Sequence, residues 1–337
     1  MKKISESLEG YRIRVHNKLE DISEHIQENN EHNRADLIES RKSDDTDDYI
    51  DRIFHEPVAL FFTRRFIKLG FSPNAVTILS MIFGVSGGVL FYPRNLCLNV
   101  LGILLEIFAA VLDCSDGQVA RMTGKSSELG RVLDGTVDGV NFLSVYLALT
   151  LRMMHEPIPF LNGVLWKGWI WPIAAFCGLY SHSSQARIAD YYRVVHLFFR
   201  KGNDLQRSGE IYEEYQKARS TEAFWKWGWL AFYYYYTRLQ EKTTPRLQKL
   251  LDAIDANNGI IPYGADSAYS DMSHKIIQMT NLLTFSLRAY LLYFLLLFDL
   301  HAFYFPFVII IMGIMKHVMI YLYEKIADRI ISDYIEK

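Results

Sequence analysis

Residues 113–138 read DCSDGQVARMTGKSSELGRVLDGTVD, with apolar segments on both sides. Asp113 and Asp116 stand three residues apart and Asp134 and Asp138 four apart, so on helices each pair projects from a single face. Carboxylates gathered at the edge of a bilayer repel one another unless a cation lies between them. Acids in such a place default to a functional reading. Two helix ends brought together by the turn around residues 123–128 would form an all-oxygen cage suited to Mg²⁺ or Mn²⁺.

Working outward, the chain alternates apolar and very polar blocks. It is 50% hydrophobic, yet its mean hydropathy is near zero. Six apolar segments, at about 75–92, 98–119, 132–151, 164–189, 277–298 and 303–323, approach the roughly 20 residues that cross a hydrocarbon core. The expected fold is all-α: a polytopic membrane protein with six transmembrane helices, an amphipathic juxtamembrane helix at 49–68 and cytoplasmic helical extensions. Lys and Arg are sparse around 93–99, 155–162 and 299–302 and dense in residues 1–68 and 193–275. The positive-inside rule therefore places both termini and the aspartates in the cytoplasm. Residues 1–53 are polar throughout, so no secretory leader is expected there.

Four regions follow. Residues 1–48 carry an apolar repeat at Ile4, Leu8, Tyr11, Val15, Leu19, Ile22 and Ile26, the pattern of an amphipathic helix, then an acidic linker. Residues 49–198 hold the juxtamembrane helix and four spans. Residues 199–275 form an insertion whose aromatic stretch at 223–236 is read as lying at the headgroup level or packed on the cytoplasmic face. Residues 276–337 hold the last two spans and a tail. The net charge of −2 says nothing about nucleic acid, and no basic stripe or binding motif points to such a partner. Cys97, Cys114 and Cys177 have no paired spacing, so no disulfide framework is expected.

Written as a pattern, the opening stretch is D-x2-D-G-x2-A-R-x8-G-x3-D-x3-D, filled by Asp113, Asp116, Gly117, Ala120, Arg121, Gly130, Asp134 and Asp138. It resembles the motif of the CDP-alcohol phosphotransferases, or CDP-alcohol phosphatidyltransferases. Residues 57–68 and the Pro73-Asn74-x-x-Thr77 that follows resemble that family's entry helix and the opening of its first span. The likeness runs from about 53 to 192, more weakly through the last two spans. Residues 1–50 and 199–275 have no counterpart in compact members.

The resemblance implies transfer of a substituted phosphate from a CDP-linked donor to an alcohol, with release of CMP. It implies two divalent ions, Mg²⁺ or Mn²⁺, held by Asp113, Asp116 and Asp134, with Asp138 accepting the alcohol's proton and touching a metal. Asn74, Thr77, Gly117, Ala120, Arg121, Ser127 and Gly130 are implied for the CDP donor. Gly117 and Gly130 lack Cβ and admit close approach to the backbone, and Arg121 can fork onto phosphate oxygens.

For the acceptor, Ala186-Arg187 followed by Asp190 resembles the Ala-Arg-x-x-Glu of members using sugar or polyol phosphates, with Asp in place of Glu. Lys125, Arg131 and Arg187 form the expected cationic acceptor pocket, unless they reach to headgroups instead. The expected donor is CDP-diacylglycerol or a related CDP-lipid, and inositol phosphate is favoured among small polar alcohols, as in a phosphatidylinositol-phosphate-synthase-like member. Alternatives are phosphatidylglycerophosphate, phosphatidylinositol or phosphatidylserine synthesis, or the use of CDP-choline or CDP-ethanolamine with diacylglycerol. A homodimer in the inner cell membrane is implied. Two other classes stay open: a non-catalytic scaffold, and a divalent-cation transporter, against which Arg121 argues.

Overall fold

The computed structural model describes residues 48–125 and 128–336, and every regular element among them is helical. The amphipathic helix expected in residues 1–48 lies outside the described residues. A π-helical turn, Asp51–His55, leads into α1, Glu56–Lys68. Next come α2, Pro73–Val89, α3, Leu96–Thr123, and α4, Glu128–Met153. Local chemistry sets these boundaries. Ser72 caps α2 by accepting from the Ala75 amide at 3.3 Å, with Pro73 preset in the first turn. Asn95 caps α3 by accepting from Leu98 at 3.1 Å. Gly124, at φ +65°, ends α3 in the left-handed conformation that glycine adopts freely.

Glycine decides how α2 packs. A Cβ on Gly87 would stand 2.8 Å from the Gly102 carbonyl of α3, and one on Gly102 would stand 2.8 Å from the Gly87 carbonyl. One residue further, a Cβ on Gly88 would come within 3.0 Å of the Val145 amide of α4. The absent side chains let α2 lie directly against both neighbours, the usual device where apolar burial against lipid gives no driving force. Helix α1 seats on the outer side of α3: Ser115 Oγ donates to the Ala59 carbonyl at 2.9 Å, and Gln118 Nε2 to that of Glu56 at 3.1 Å.

The fourth apolar segment is not one regular helix. A short 3₁₀ turn, Lys167–Trp169, runs into α5, Ile170–Ala175, then a π-helical stretch, Phe176–His182, then α6, Ser183–Lys201. The insertion folds as α7, Ser208–Thr221, α8, Phe224–Thr243, and α9, Pro245–Ala256. Arg207 holds it together, donating to Asp252 at 2.7 Å, Asp255 at 2.8 Å and Gln248 at 3.1 Å. The segment expected as a span at 277–298 is divided instead. Helix α10, Ala265–Asn281, stops, and α11, Phe285–Leu297, begins four residues later.

Buried Arg288 explains how that break survives. It donates to the carbonyl of Leu283 at 2.7 Å, freed by the interruption, to that of Thr284 at 3.1 Å and to Gln185 Oε1 at 2.8 Å. Without the first of these the open Leu283 carbonyl would lie unsatisfied in an apolar interior. The final stretch, His301–Ile335, contains α12, Met312–Ile330.

Among the described residues three helical stretches, Leu96–Thr123, Ala265–Leu297 and His301–Ile335, are long and apolar enough to cross a membrane, and α2 is a shorter apolar helix. This is the composition of an integral membrane protein. At the α4 C-terminal end, Arg152, 4% exposed, donates to Asp299 at 3.1 Å and Glu156 at 3.3 Å, and Arg94 also pairs with Asp299. His301 Nε2 meets Glu156 Oε2 at 2.5 Å. Burial pushes the Glu156 carboxyl up, but the His301 hydrogen bond and the charges of His301 and Arg152 outweigh it and hold it below the usual range. Asp299 is likewise held low, Arg94 outweighing burial.

Candidate active site

The aspartates lie at the opposite end, where α3 finishes and α4 starts. Asp113, Asp116 and Asp134 each offer an oxygen within 4.8 Å of the others. At an effective dielectric near 20, like charges at that spacing repel by roughly 3 kcal/mol per pair. Asp116 is 7% exposed, and the Oδ1 of Asp113 is buried with no hydrogen-bond partner among the described residues. An all-oxygen, acceptor-only cluster of this kind fits a hard divalent cation, whose ligands are carboxylates and water.

Thr77 holds the cluster from α2. Its Oγ1 donates to Asp116 Oδ2 at 2.5 Å while also reaching the Pro73 carbonyl at 3.1 Å. The motif's unassigned positions hold it from α1, since Thr63 Oγ1 donates to Gln118 Oε1 at 2.9 Å and lies 3.2 Å from Ser115 Oγ. Asp138 is exposed one turn beyond Asp134 and lies outside the converged trio, but it lines the same cavity as Asp113. Gly135 and Gly139, beside them on α4, have nothing within 4 Å of where a Cβ would stand, leaving the helix backbone open to a ligand.

The other expected residues fall in several places. Asn74 is half-buried in the first turn of α2, and Ala120 is half-buried on α3. The Arg121 guanidinium folds back over Gly117, where a Cβ would sit 3.1 Å from its Nη1. Gly130 is half-buried in the first turn of α4, and Lys125 is exposed in the turn before it. Ser127 and the side chain of Arg131 lie outside what is described. Arg187 is set on α6 beside Lys316, Tyr180 and Tyr236, and its described neighbours include none of the four aspartates. His182 meets Tyr146 OH at 3.2 Å and packs edge-on to Phe142.

A cavity of about 150 Å³ continues inward from the carboxylates. Besides Asp113 and Asp138 its wall includes Asp51, His55, Glu106 and Asn141, none of which the sequence pattern singled out. His55 is buried and engaged on both ring nitrogens, with Asp51 at 2.7 Å and Tyr290 OH at 3.1 Å. Glu106 had a legible signal, being the lone acid inside the apolar run 98–112. Asn141 had a weaker one, a lone amide near the middle of the apolar run 132–151.

Fold and site together define a helical membrane protein with a cluster of carboxylates, able to hold a cation, at the junction of two helix ends. Residues 71–187 match the family model described as CDP-alcohol phosphatidyltransferase, so the chain carries a domain of that family. It is similar to the archaetidylinositol phosphate synthase of Pyrococcus horikoshii, 37% identical over 84 residues that make up 25% of this chain and 43% of that protein. It is also similar to phosphatidylinositol phosphate synthases of Streptomyces avermitilis, 36% identical over 90 residues (26% of this chain, 36% of that protein), and Corynebacterium glutamicum, 33% identical over 105 residues (31% and 45%). The chain thus spans less than half the length of each of these curated relatives.

Proposed function

We propose that this protein transfers a phosphatidyl group from CDP-diacylglycerol, or a related CDP-lipid, to a polyol phosphate, with inositol phosphate favoured, and releases CMP. The observation that carries this reading is the convergence of Asp113, Asp116 and Asp134 to within 4.8 Å, with Asp138 beside them in the cavity wall. The names of the relatives support the choice of acceptor. In this reading the chain crosses the membrane six times, pairs as a homodimer, and opens its site to the cytoplasm and inner leaflet.

Asp113, Asp116 and Asp134 would hold two Mg²⁺ or Mn²⁺ ions, with Asp138 in reach of one. Bound there, the ions would neutralise the donor's diphosphate and stabilise the attacking and leaving oxygens. The chain's own residues do the rest. Asn74, Gly117, Ala120, Arg121, Ser127 and Gly130 seat the CDP moiety, Arg121 by forking onto phosphate oxygens. Thr77 lines the nucleotide site with them and also holds the Asp116 carboxylate. Lys125, Arg131 and Arg187 draw the acceptor's phosphate to the cytoplasmic side.

Asp138, exposed at the cavity mouth, takes the proton of the acceptor hydroxyl. That oxygen bonds to the phosphorus of the phosphatidyl group, and the bond from phosphorus to the CMP oxygen breaks. A carboxylate is a weak base, so much of the rate comes from holding hydroxyl and phosphorus in line.

The test is CMP release by purified protein with CDP-diacylglycerol and Mn²⁺, screened against inositol phosphate, glycerol 3-phosphate, inositol and serine. Inositol phosphate should stimulate release most. Asp138→Asn should bind the CDP-lipid and lose at least 100-fold in turnover. Silence across the panel, or full activity in Asp138→Asn, would refute the reading or the base assignment respectively. Donor binding without turnover by wild type would favour a scaffold.

A further inference from the structure

The cavity below the carboxylates holds three buried oxygens that have no hydrogen-bond partner among the described residues: Asp113 Oδ1, Glu106 Oε1 and Asn141 Oδ1. Glu106 is 5% exposed and lies seven residues before Asp113 on α3, about 10 Å deeper at 1.5 Å per residue. Asn141 sits one turn below Asp138 on α4 and is pressed against α2, where a Cβ on Gly84 would stand 2.6 Å from its amide. A buried carboxyl oxygen left unpaired costs its full desolvation, so a position like Glu106 is retained for something it binds.

The chemistry of the lining restricts the guest. Bare acceptor oxygens call for O–H or N–H donors, or for a cation. A single ion needs its ligands to converge. Among the described residues the groups of three or more possible ligands within 4.8 Å of one another are Asp113 with Asp116 and Asp134, and Asp51 with His55 and Cys114; Glu106 joins neither. Acceptors spread along a cavity instead match several hydroxyls on one molecule. Among the described residues no Lys or Arg lines the space, so a phosphate finds no counter-charge from them there. At about 30 Å³ per water, 150 Å³ corresponds to about five waters, a space on the scale of a small polyol.

We propose that this cavity is the polyol subsite of the acceptor, an inference that rests on the transferase reading above. Glu106 and Asn141 are its specificity-determining residues, accepting from hydroxyls other than the one that attacks. The attacking hydroxyl faces Asp138 at the mouth, and the acceptor's phosphate stays on the cytoplasmic side.

The experiment measures CMP release from CDP-diacylglycerol with Mn²⁺ by full-length wild type and Glu106→Leu. Inositol phosphate, its single-deoxy analogues and glycerol 3-phosphate serve as acceptors. Glu106→Leu should raise the KM for inositol phosphate ten-fold or more while leaving the KM for CDP-diacylglycerol within about two-fold. Its thermal midpoint should rise, because an uncompensated buried carboxyl has gone. One deoxy analogue should cost wild type about ten-fold and cost Glu106→Leu little more, the coupling expected of direct partners.

An unchanged inositol-phosphate KM in folded Glu106→Leu would overturn the subsite. If that variant does not fold, the wild-type deoxy series decides alone: no penalty for any hydroxyl except the attacking one overturns it. Absence of CMP release by wild type with every acceptor is a separate result that sinks the transferase reading first.

Discussion

Thr77→Val replaces a hydroxyl by a methyl of the same shape at a position only 3% exposed, so packing is kept and one hydrogen bond is lost. That bond, from Thr77 Oγ1 to Asp116 Oδ2 at 2.5 Å, fixes one of the three converging carboxylates. A hydrogen bond to a charged group contributes about 1.5–3 kcal/mol. At 1.4 kcal/mol per decade this corresponds to roughly 10–100-fold in cation affinity, the range found when partners of metal ligands are removed. The assay is titration of purified protein with Mn²⁺, reading free Mn²⁺ by its paramagnetic resonance, with no nucleotide present. Thr150→Val is the control. Thr150 is equally buried and donates to the Tyr146 carbonyl at 2.6 Å, near the far end of α4. Thr77→Val should weaken Mn²⁺ binding and Thr150→Val should not. Equal affinities for wild type and Thr77→Val, or equal losses in both variants, would refute the reasoning.

At the opposite end of the bundle, Glu156 and Asp299 have folded-state pKa values below their ordinary values. Their contribution to stability is therefore complete above about pH 4–5, the unfolded range, and is lost as pH falls through the folded values. Thermal midpoints measured down to about pH 3 should show this decline, and Asp299→Asn should flatten it; an unchanged slope would remove Asp299 from the account. Gly102→Ala drives a Cβ to 2.8 Å from both the Gly87 carbonyl and the Phe91 ring, and should destabilise by about 1–3 kcal/mol. Gly313→Ala, with nothing within 4 Å, should be close to neutral in the same unfolding assay. Matching midpoints for the two would show that α2 and α3 do not need the close crossing.

Much of the site was legible because its chemistry is local in the chain. Asp113 and Asp116 share one helical face by spacing alone, as do Asp134 and Asp138, and Gly124 marks the end of the first helix. The expected helix at 98–119 extends two residues earlier and four later than its apolar stretch, since a cap and a left-handed glycine set the ends rather than hydropathy. The break within 277–298 was not legible. An apolar run predicts continuity, and what permits the interruption is Arg288 reaching carbonyls on its own turn and Gln185, 103 residues away.

The sequence by itself determined an all-helical membrane protein and its acidic cluster, because helical periodicity and charge cost act over a few residues. It could not show that Thr77 is a partner of Asp116, 39 residues away. Nor could it gather Glu106, Asn141, Asp51 and His55 around one cavity, or set Arg187 beside Lys316. Those relations depend on which helices meet and how closely. That was decided by tertiary packing, chiefly by the glycine face of α2, whose missing side chains fix the distance at which three helices touch.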